Sequence, residues 1–153
     1  MPAVFTPPNP DYAARTRDSF ARQPAMVLIG ASITALEPGF CEVTLPHRDD
    51  LTQQHGFIHG GVTGMLADSA SGYAGFTLMP LDASPLTVEY KINMLNPAHG
   101  DKLVARARVV KAGKTLVITQ CEVFAVKDSQ EKHCATMQQT LIVMRGVPDG
   151  KRA

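Results

Sequence analysis

Between Gly61 and Leu78 the sequence carries one charged side chain, Asp68, and it stands on a stripe of small residues made by Gly61, Gly64, Ser71, Gly72 and Gly75. Seven residues, nearly two helical turns, separate Asp68 from Gly61, and this spacing sets the carboxylate above the start of its own helix. A helix start offers unpaired N–H donors, here those of Gly60, Gly61 and Val62, together with the positive end of the helix dipole. Donors that polarise a carbonyl beside a carboxylate suit acyl transfer: the N–H groups stabilise an oxyanion while the carboxylate activates water or attacks directly. Glycines inside a helix each cost about 0.5–1 kcal/mol relative to Ala, so several on one face imply that something approaches the backbone closely. Either a sheet wraps that face tightly, or a slender ligand lies in a groove along it.

Other candidate chemistries fit less well. His55 and His59 are four apart, but they precede the helix and are interrupted by Gly56 and Gly60, so no metal site is expected and His59 is read as fixing the loop by a hydrogen bond. Gly113-Lys114-Thr115 looks like the end of a phosphate-binding loop, yet that motif needs glycine where Arg108 stands. No serine sits in a G-x-S-x-G setting, which counts against a serine hydrolase. The odd count of three cysteines, widely spaced, gives no disulfide framework and fits a reducing compartment, with Cys41 and Cys121 read as buried and inert strand residues. Fifteen Lys plus Arg against 14 Asp plus Glu leave a net charge of +1, so no field of one sign exists to bind nucleic acid or an anionic membrane. The opening MPAVFTPPNP has neither a basic nor an apolar targeting region, and the longest apolar stretch, Pro24 to Leu36, is cut by Gly30, Ser32 and Thr34. A cytoplasmic protein is expected.

The elements that must hold these residues can be read from periodicity. Residues 1–10 carry four prolines and read as an extended arm; Asp11 offers a cap for a helix over Tyr12–Gln23, which Pro24 ends. From Met26 a period of two places Val27, Ile29, Ala31, Ile33 and Ala35 on one strand face, with a turn at Glu37-Pro38-Gly39 and a returning strand at Phe40–Pro46. A polar stretch leads into the only long central helix, from Gly61 to about Leu78. Leu86, Val88, Tyr90, Ile92 and Met94 then alternate with Thr87, Glu89, Lys91 and Asn93, and three further strands run over Lys102–Val110, Thr115–Val126 and His133–Met144. Such short connections make neighbouring strands antiparallel. The expectation is one α+β domain over residues 11–145, an antiparallel sheet covered by one long helix, with a tail over 146–153.

The run Gln53-Gln54-His55-Gly56-Phe57-Ile58-His59-Gly60-Gly61-Val62-Thr63-Gly64-Met65-Leu66-Ala67-Asp68 resembles the H-G-G-x-x-x-x-L-A-D signature of hot dog fold thioesterases, in their phenylacetate-pathway (PaaI-type) branch. The resemblance covers roughly Pro24 to Val143, including the turn Val110-Lys111-Ala112-Gly113-Lys114-Thr115. It implies a hot dog fold in which the sheet wraps the central helix, two protomers join sheets edge to edge, and active sites lie at the dimer interface. It also implies hydrolysis of acyl-CoA to CoA and a carboxylic acid, with no cofactor beyond the CoA of the substrate. Carried across residue by residue, Asp68 becomes the catalytic carboxylate and Gly61 the oxyanion donor. Gln53 stands where relatives place Asn, Thr87 where they place a hydroxyl that helps to hold water, and His59 belongs to the same catalytic group. Gly60, Val62, Met65, Phe57, Tyr73 and Met94 would line the acyl groove, giving a lean to medium or long aliphatic chains. Lys111, Gly113 and Lys114 would meet the CoA phosphates. The expected partner is a second copy of the chain, in a dimer or a dimer of dimers. Two other readings stay open, a hot dog hydratase or dehydratase and a non-catalytic acyl-CoA sensor.

Overall fold

The computed structural model describes residues 4–150. At its centre runs α3, Gly60–Phe76, whose sheet-facing side is built from small residues: Ala67, Ala70, Ser71, Ala74 and Gly75 are all buried. With only Leu66 and Phe76 large among the buried residues of that stretch, the sheet closes tightly round the helix, and α3 contacts five of its strands. A Cβ on Gly75 would stand 2.5 Å from Leu141 Cδ1 and 3.5 Å from Val117 Cγ1, so any larger residue there must displace the Leu141 side chain.

The chain order is α1 (Tyr12–Ala21), α2 (Pro24–Ile29), β1 (Ser32–Glu37), β2 (Phe40–Pro46), a 3-10 turn at Asp49–Leu51, α3, then β3 (Ala83–Met94), β4 (Lys102–Ala112), β5 (Leu116–Lys127) and β6 (Gln130–Arg145). These strands form one six-stranded antiparallel sheet in the order β1-β2-β4-β5-β6-β3. Its two edges are therefore β1 and β3. The core under the sheet comes from alternate residues of the inner strands, including Val43 and Leu45, Leu103, Ala105 and Ala107, Val117, Cys121 and Val123, and Met137 and Leu141.

Three expectations from periodicity need correction. First, Pro24–Ile29 is a helix and β1 begins only at Ser32. Pro24 occupies a first-turn position, where its missing N–H costs nothing, and Gly30 at φ +79° closes the helix in the left-handed region. Met26 and Ile29, three apart, are buried, while Val27 and Leu28 are exposed, which is a helical and not a strand pattern. Second, β3 does not pair with β4, the strand that follows it; residues 95–101 cross to the other side of the curl, and β3 pairs with β6. Third, the alternation along β3 breaks at Val88, where the register shifts between Thr87 and Glu89. This bulge turns Thr87 to the same face as Tyr90, Ile92 and Met94, because Thr87 pairs with Leu141, Tyr90 with Gln139 and Ile92 with Met137, all buried.

The terminal segments are packed where they are described. Phe5 of the arm lies against the core, and Asn9 Oδ1, not the Asp11 side chain, accepts the Asp11 N–H at 3.0 Å ahead of α1. In the tail, Val147 O accepts from Ser84 Oγ at 2.7 Å and Asp149 pairs with Arg22 at 2.6 Å. Residues 1–3 of the arm and 151–153 of the tail lie outside the described residues. Among the described residues no helix is long and apolar enough to cross a membrane.

The two glycines on the same helix should respond to substitution in opposite ways. Gly72 has nothing within 4 Å of an added Cβ, so Gly72→Ala should stabilise by about 0.5–1 kcal/mol through helix propensity. Gly75→Val should overpack against Leu141 and Val117 and lose roughly 1–3 kcal/mol. Urea unfolding midpoints should fall in the order Gly72→Ala, parent, Gly75→Val; any other order contradicts this packing.

Candidate active site

Asp68 lies two turns along α3, on the side that meets β3 and β6. Its Oδ1 accepts from Thr87 Oγ1 at 2.7 Å and from Gln139 Nε2 at 2.9 Å, while Gln139 Nε2 also lies 3.0 Å from Thr87 Oγ1. One carboxylate oxygen is thus held by two donors from two strands. Oδ2 has no partner among the described residues, and Asp68 lines a cavity of about 210 Å³ together with Tyr73, Phe76, Leu86, Thr87 and Leu141. The far side of that cavity is polar. Ser19 reaches it from α1, Gln23 from the link to α2, Asp149 from the tail, and Ser19 Oγ lies 3.2 Å from Tyr73 Oη. Burial pushes the Tyr73 phenol up from its ordinary range, against a smaller opposing effect of the Ser19 bond.

The start of α3 is a separate place. His59 is the N-cap, and its Nδ1 accepts the Gly61 N–H at 2.8 Å, which fixes the neutral ring with its proton on Nε2. The Gly61 amide named from the sequence as the oxyanion donor is therefore already bonded. The Gly60 N–H, one residue earlier, has no partner among the described residues. Gly60 lines a second cavity of about 390 Å³ with Gln53, Phe57, Thr63 and Met94. Gln53 Oε1 accepts the His55 N–H across the tight turn that Gly56, at φ +80°, allows, so its amide nitrogen is the free end of the side chain.

Within one chain these two half-sites do not meet. At 1.5 Å rise per residue, the seven residues from Gly61 to Asp68 span about 10 Å, several times the reach of a single reacting carbonyl. The carboxylate stands two turns above its own helix start, as the spacing indicates, but too far from those donors for one thioester carbonyl to meet both. Of the remaining expected groove residues, Tyr73 lines the Asp68 cavity, Phe57 and Met94 line the Gly60 cavity, and Val62 packs partly buried against the core. Met65 is 37% exposed and lines neither. Lys111, Gly113 and Lys114 form the β4–β5 hairpin, exposed except at the partly buried glycine, at the end of the sheet where Leu86, Leu116 and Ile142 align.

Gln139 was not singled out from the sequence. Its signal was present in the period of β6, where Ala135, Met137, Gln139 and Leu141 all face inward and only Gln139 is polar. The places of Ser19, Gln23 and Asp149 in the cavity lining had no local signal, since each is brought in by long-range packing of the chain.

The model of the thioesterase superfamily matches residues 55–132, the span that contains α3 and both half-sites apart from Gln53 and Gln139. The chain belongs to the thioesterase superfamily. It is a thioester hydrolase. A solved thioesterase family protein from Silicibacter pomeroyi is 49% identical, covering 88% of this chain and 99% of that one at a TM-score of 0.87. Human acyl-coenzyme A thioesterase 13 is 31% identical over 105 residues, 67% of this chain and 73% of its own. The Escherichia coli PaaI protein, at 24% identity and a TM-score of 0.79 over 90% of this chain and 96% of that one, shares the hot dog fold.

The thioesterase has three free cysteines, all in its interior. Burial pushes the thiols of Cys41 and Cys121 up to about 12 and that of Cys134 up to about 11. Since the thiolate is the reactive form, the native protein should resist a colorimetric thiol reagent at about pH 8 and react at all three cysteines only when unfolded. Rapid modification of the native chain would show that these strands open.

Proposed function

We propose that the protein hydrolyses acyl-CoA thioesters at sites completed by two copies of the chain, with Asp68 as general base or nucleophile. The observation that carries this reading is the Asp68 carboxylate at a cavity wall with Oδ1 bound by Thr87 and Gln139 and Oδ2 left open. Its likeness to human acyl-coenzyme A thioesterase 13 supports CoA as the leaving group.

The need for a second copy follows from β3. This edge strand exposes Leu86, Val88, Tyr90 and Met94, each by about half, an apolar strip on an unpaired sheet edge. Thr87, near one end of the strip, belongs to the Asp68 cavity, and Met94, at the other end, to the Gly60 cavity. Antiparallel pairing of β3 with its own copy about a two-fold axis therefore sets the Asp68 end of one protomer against the Gly60 end of its partner. In that arrangement a thioester carbonyl receives the Gly60 N–H, assisted by the Gln53 amide, while Asp68 of the other protomer acts on water or on the carbonyl carbon. Thr87 holds the carboxylate, and His59 sets the helix start.

The acyl chain occupies the cavity beside Asp68. Its volume of about 210 Å³ and the polar side chains of Ser19, Gln23 and Asp149 in its lining favour medium over long chains. The CoA phosphates lie over the β4–β5 hairpin, where Lys111 and Lys114 are exposed point charges and Gly113 holds the turn through its N–H to Leu116 O at 2.9 Å.

Two substitutions and their mixture test the divided site. Asp68→Asn keeps an oxygen for Thr87 and Gln139 but loses the base, and should lower kcat at least ~10²-fold. Gly60→Pro removes one N–H at the first helical position, which tolerates proline, after His59 whose φ −57° and ψ 138° already suit a residue before proline. It should cost roughly 10²–10³-fold in kcat. Co-expressed, the two inactive chains form mixed dimers with one intact site each, so activity should recover to about a quarter of the parent level. No recovery would place both groups of a site in one chain.

The substrate assignment has its own test. Across a panel of acyl-CoAs kcat/KM should peak at medium chain length. Lys111→Ala with Lys114→Ala should raise KM and flatten its salt dependence, leave kcat nearly unchanged, and spare an acyl-pantetheine. Equal damage to both substrates would make the hairpin structural.

A further inference from the structure

Gln139 sits where a side chain of its kind is expensive. It is 1% exposed, on the middle of β6, between Met137 and Leu141 on the inward face. Its Oε1 is buried with no hydrogen-bond partner, so half of the amide contributes nothing to offset its desolvation. A buried polar group left half satisfied requires an explanation other than stability. The other half of the amide supplies it: Nε2 lies 2.9 Å from Asp68 Oδ1 and 3.0 Å from Thr87 Oγ1. The amide orientation follows from chemistry, because a flipped side chain would set two acceptors, Oε1 and a carboxylate oxygen, at hydrogen-bond distance.

We propose that Gln139 is a positioning residue of the hydrolytic reaction, holding Asp68 so that Oδ2 alone is presented to water or thioester. This rests on the assignment of Asp68 as the reacting carboxylate. Two donors on Oδ1, one from each neighbouring strand, fix the rotation of the carboxylate and draw negative charge towards the oxygen that faces the sheet. Oδ2 is then the oxygen that accepts the proton of an attacking water, or that forms the bond to the acyl carbon as the CoA thiolate departs. Thr87 cannot do this alone. Its hydroxyl can donate only once, and it comes from an edge strand whose inward facing depends on the bulge at Val88. Gln139 comes from β6, paired on both sides by β5 and β3, and anchors the pair from the more rigid part of the sheet.

The test uses two substitutions in the full chain, read by kcat, KM, melting temperature and the acid side of the pH profile of kcat/KM. Gln139→Met fills the same space without a donor. Its melting temperature should equal or exceed that of the parent, since no buried amide is left half satisfied. Its kcat should fall about tenfold with KM within twofold, and the acid limb should move to higher pH because the carboxylate has lost a donor. Gln139→Glu sets a second carboxyl against Asp68 and should move the limb in the same direction and further. The other titratable groups at this cavity are Tyr73 on α3 and Asp149 in the tail, and neither contacts Gln139, so their contribution is common to all variants. An acid limb unmoved in both variants overturns the proposal, and loss of stability and kcat with the limb in place makes Gln139 a structural residue. If instead Asp68→Asn remains active, it is the underlying assignment of Asp68 that fails.

Discussion

The distance between α3 and the sheet governs everything else in this protein. It is set by side chains no larger than a methyl or hydroxymethyl group at Ala67, Ala70, Ser71 and Ala74, and by the bare backbone of Gly75 against Leu141. Only at this separation can a side chain as short as threonine, anchored in a strand, reach a carboxylate anchored in the helix at 2.7 Å. Larger side chains at Ala67, Ala70 and Ala74 would hold the helix further off, and the same Asp68 would find water where it now finds Thr87 and Gln139. The loss of helix propensity in a glycine-rich and serine-rich segment is offset by burial of the whole inner face of a six-stranded sheet.

How much of this could be read from residues alone depended on whether the signal was local. The long helix, the hairpins of β4, β5 and β6, and the motif around Asp68 are written in consecutive residues, and they agree with the structure to within a few positions. Pro24–Ile29 misled because Val27, Ile29, Ala31 and Ile33 alternate perfectly for a strand, while the stop signal at Gly30 and the start signal at Pro24 point to a helix and outweigh it. Thr87 was placed on the right strand and the wrong face, because a bulge is invisible to a count by twos. Gln139 was legible in principle, as a polar residue on an apolar period, but only once β6 was known to lie beside α3. The bonding of Gly61 to His59 is a matter of ring orientation, which no spacing encodes.

The placement of half-sites along β3 shows how an edge strand can serve two purposes at once. Along its unpaired edge it leaves Leu86, Val88, Tyr90 and Met94 half exposed to water, and it carries Thr87 to one cavity and Met94 to the other. In the proposed assembly the force that joins the subunits is therefore the same one that assembles the chemistry, so neither can weaken without the other. The His59 cap contributes at the partner's end of the site by holding the Gly61 N–H in the first turn of α3 and leaving that of Gly60 without a partner among the described residues.

The bulge at Val88 makes the reaction hostage to one step of register. Were the same residues to pair without it, with Tyr90, Ile92 and Met94 kept in place, Val88 would stand opposite Leu141 and Thr87 would turn outward opposite Ile142. Such a strand would still pair and still border an acyl group, yet the carboxylate would have lost its hydroxyl. In this architecture a hydrolase and a mere carrier differ by a single slip along one edge strand.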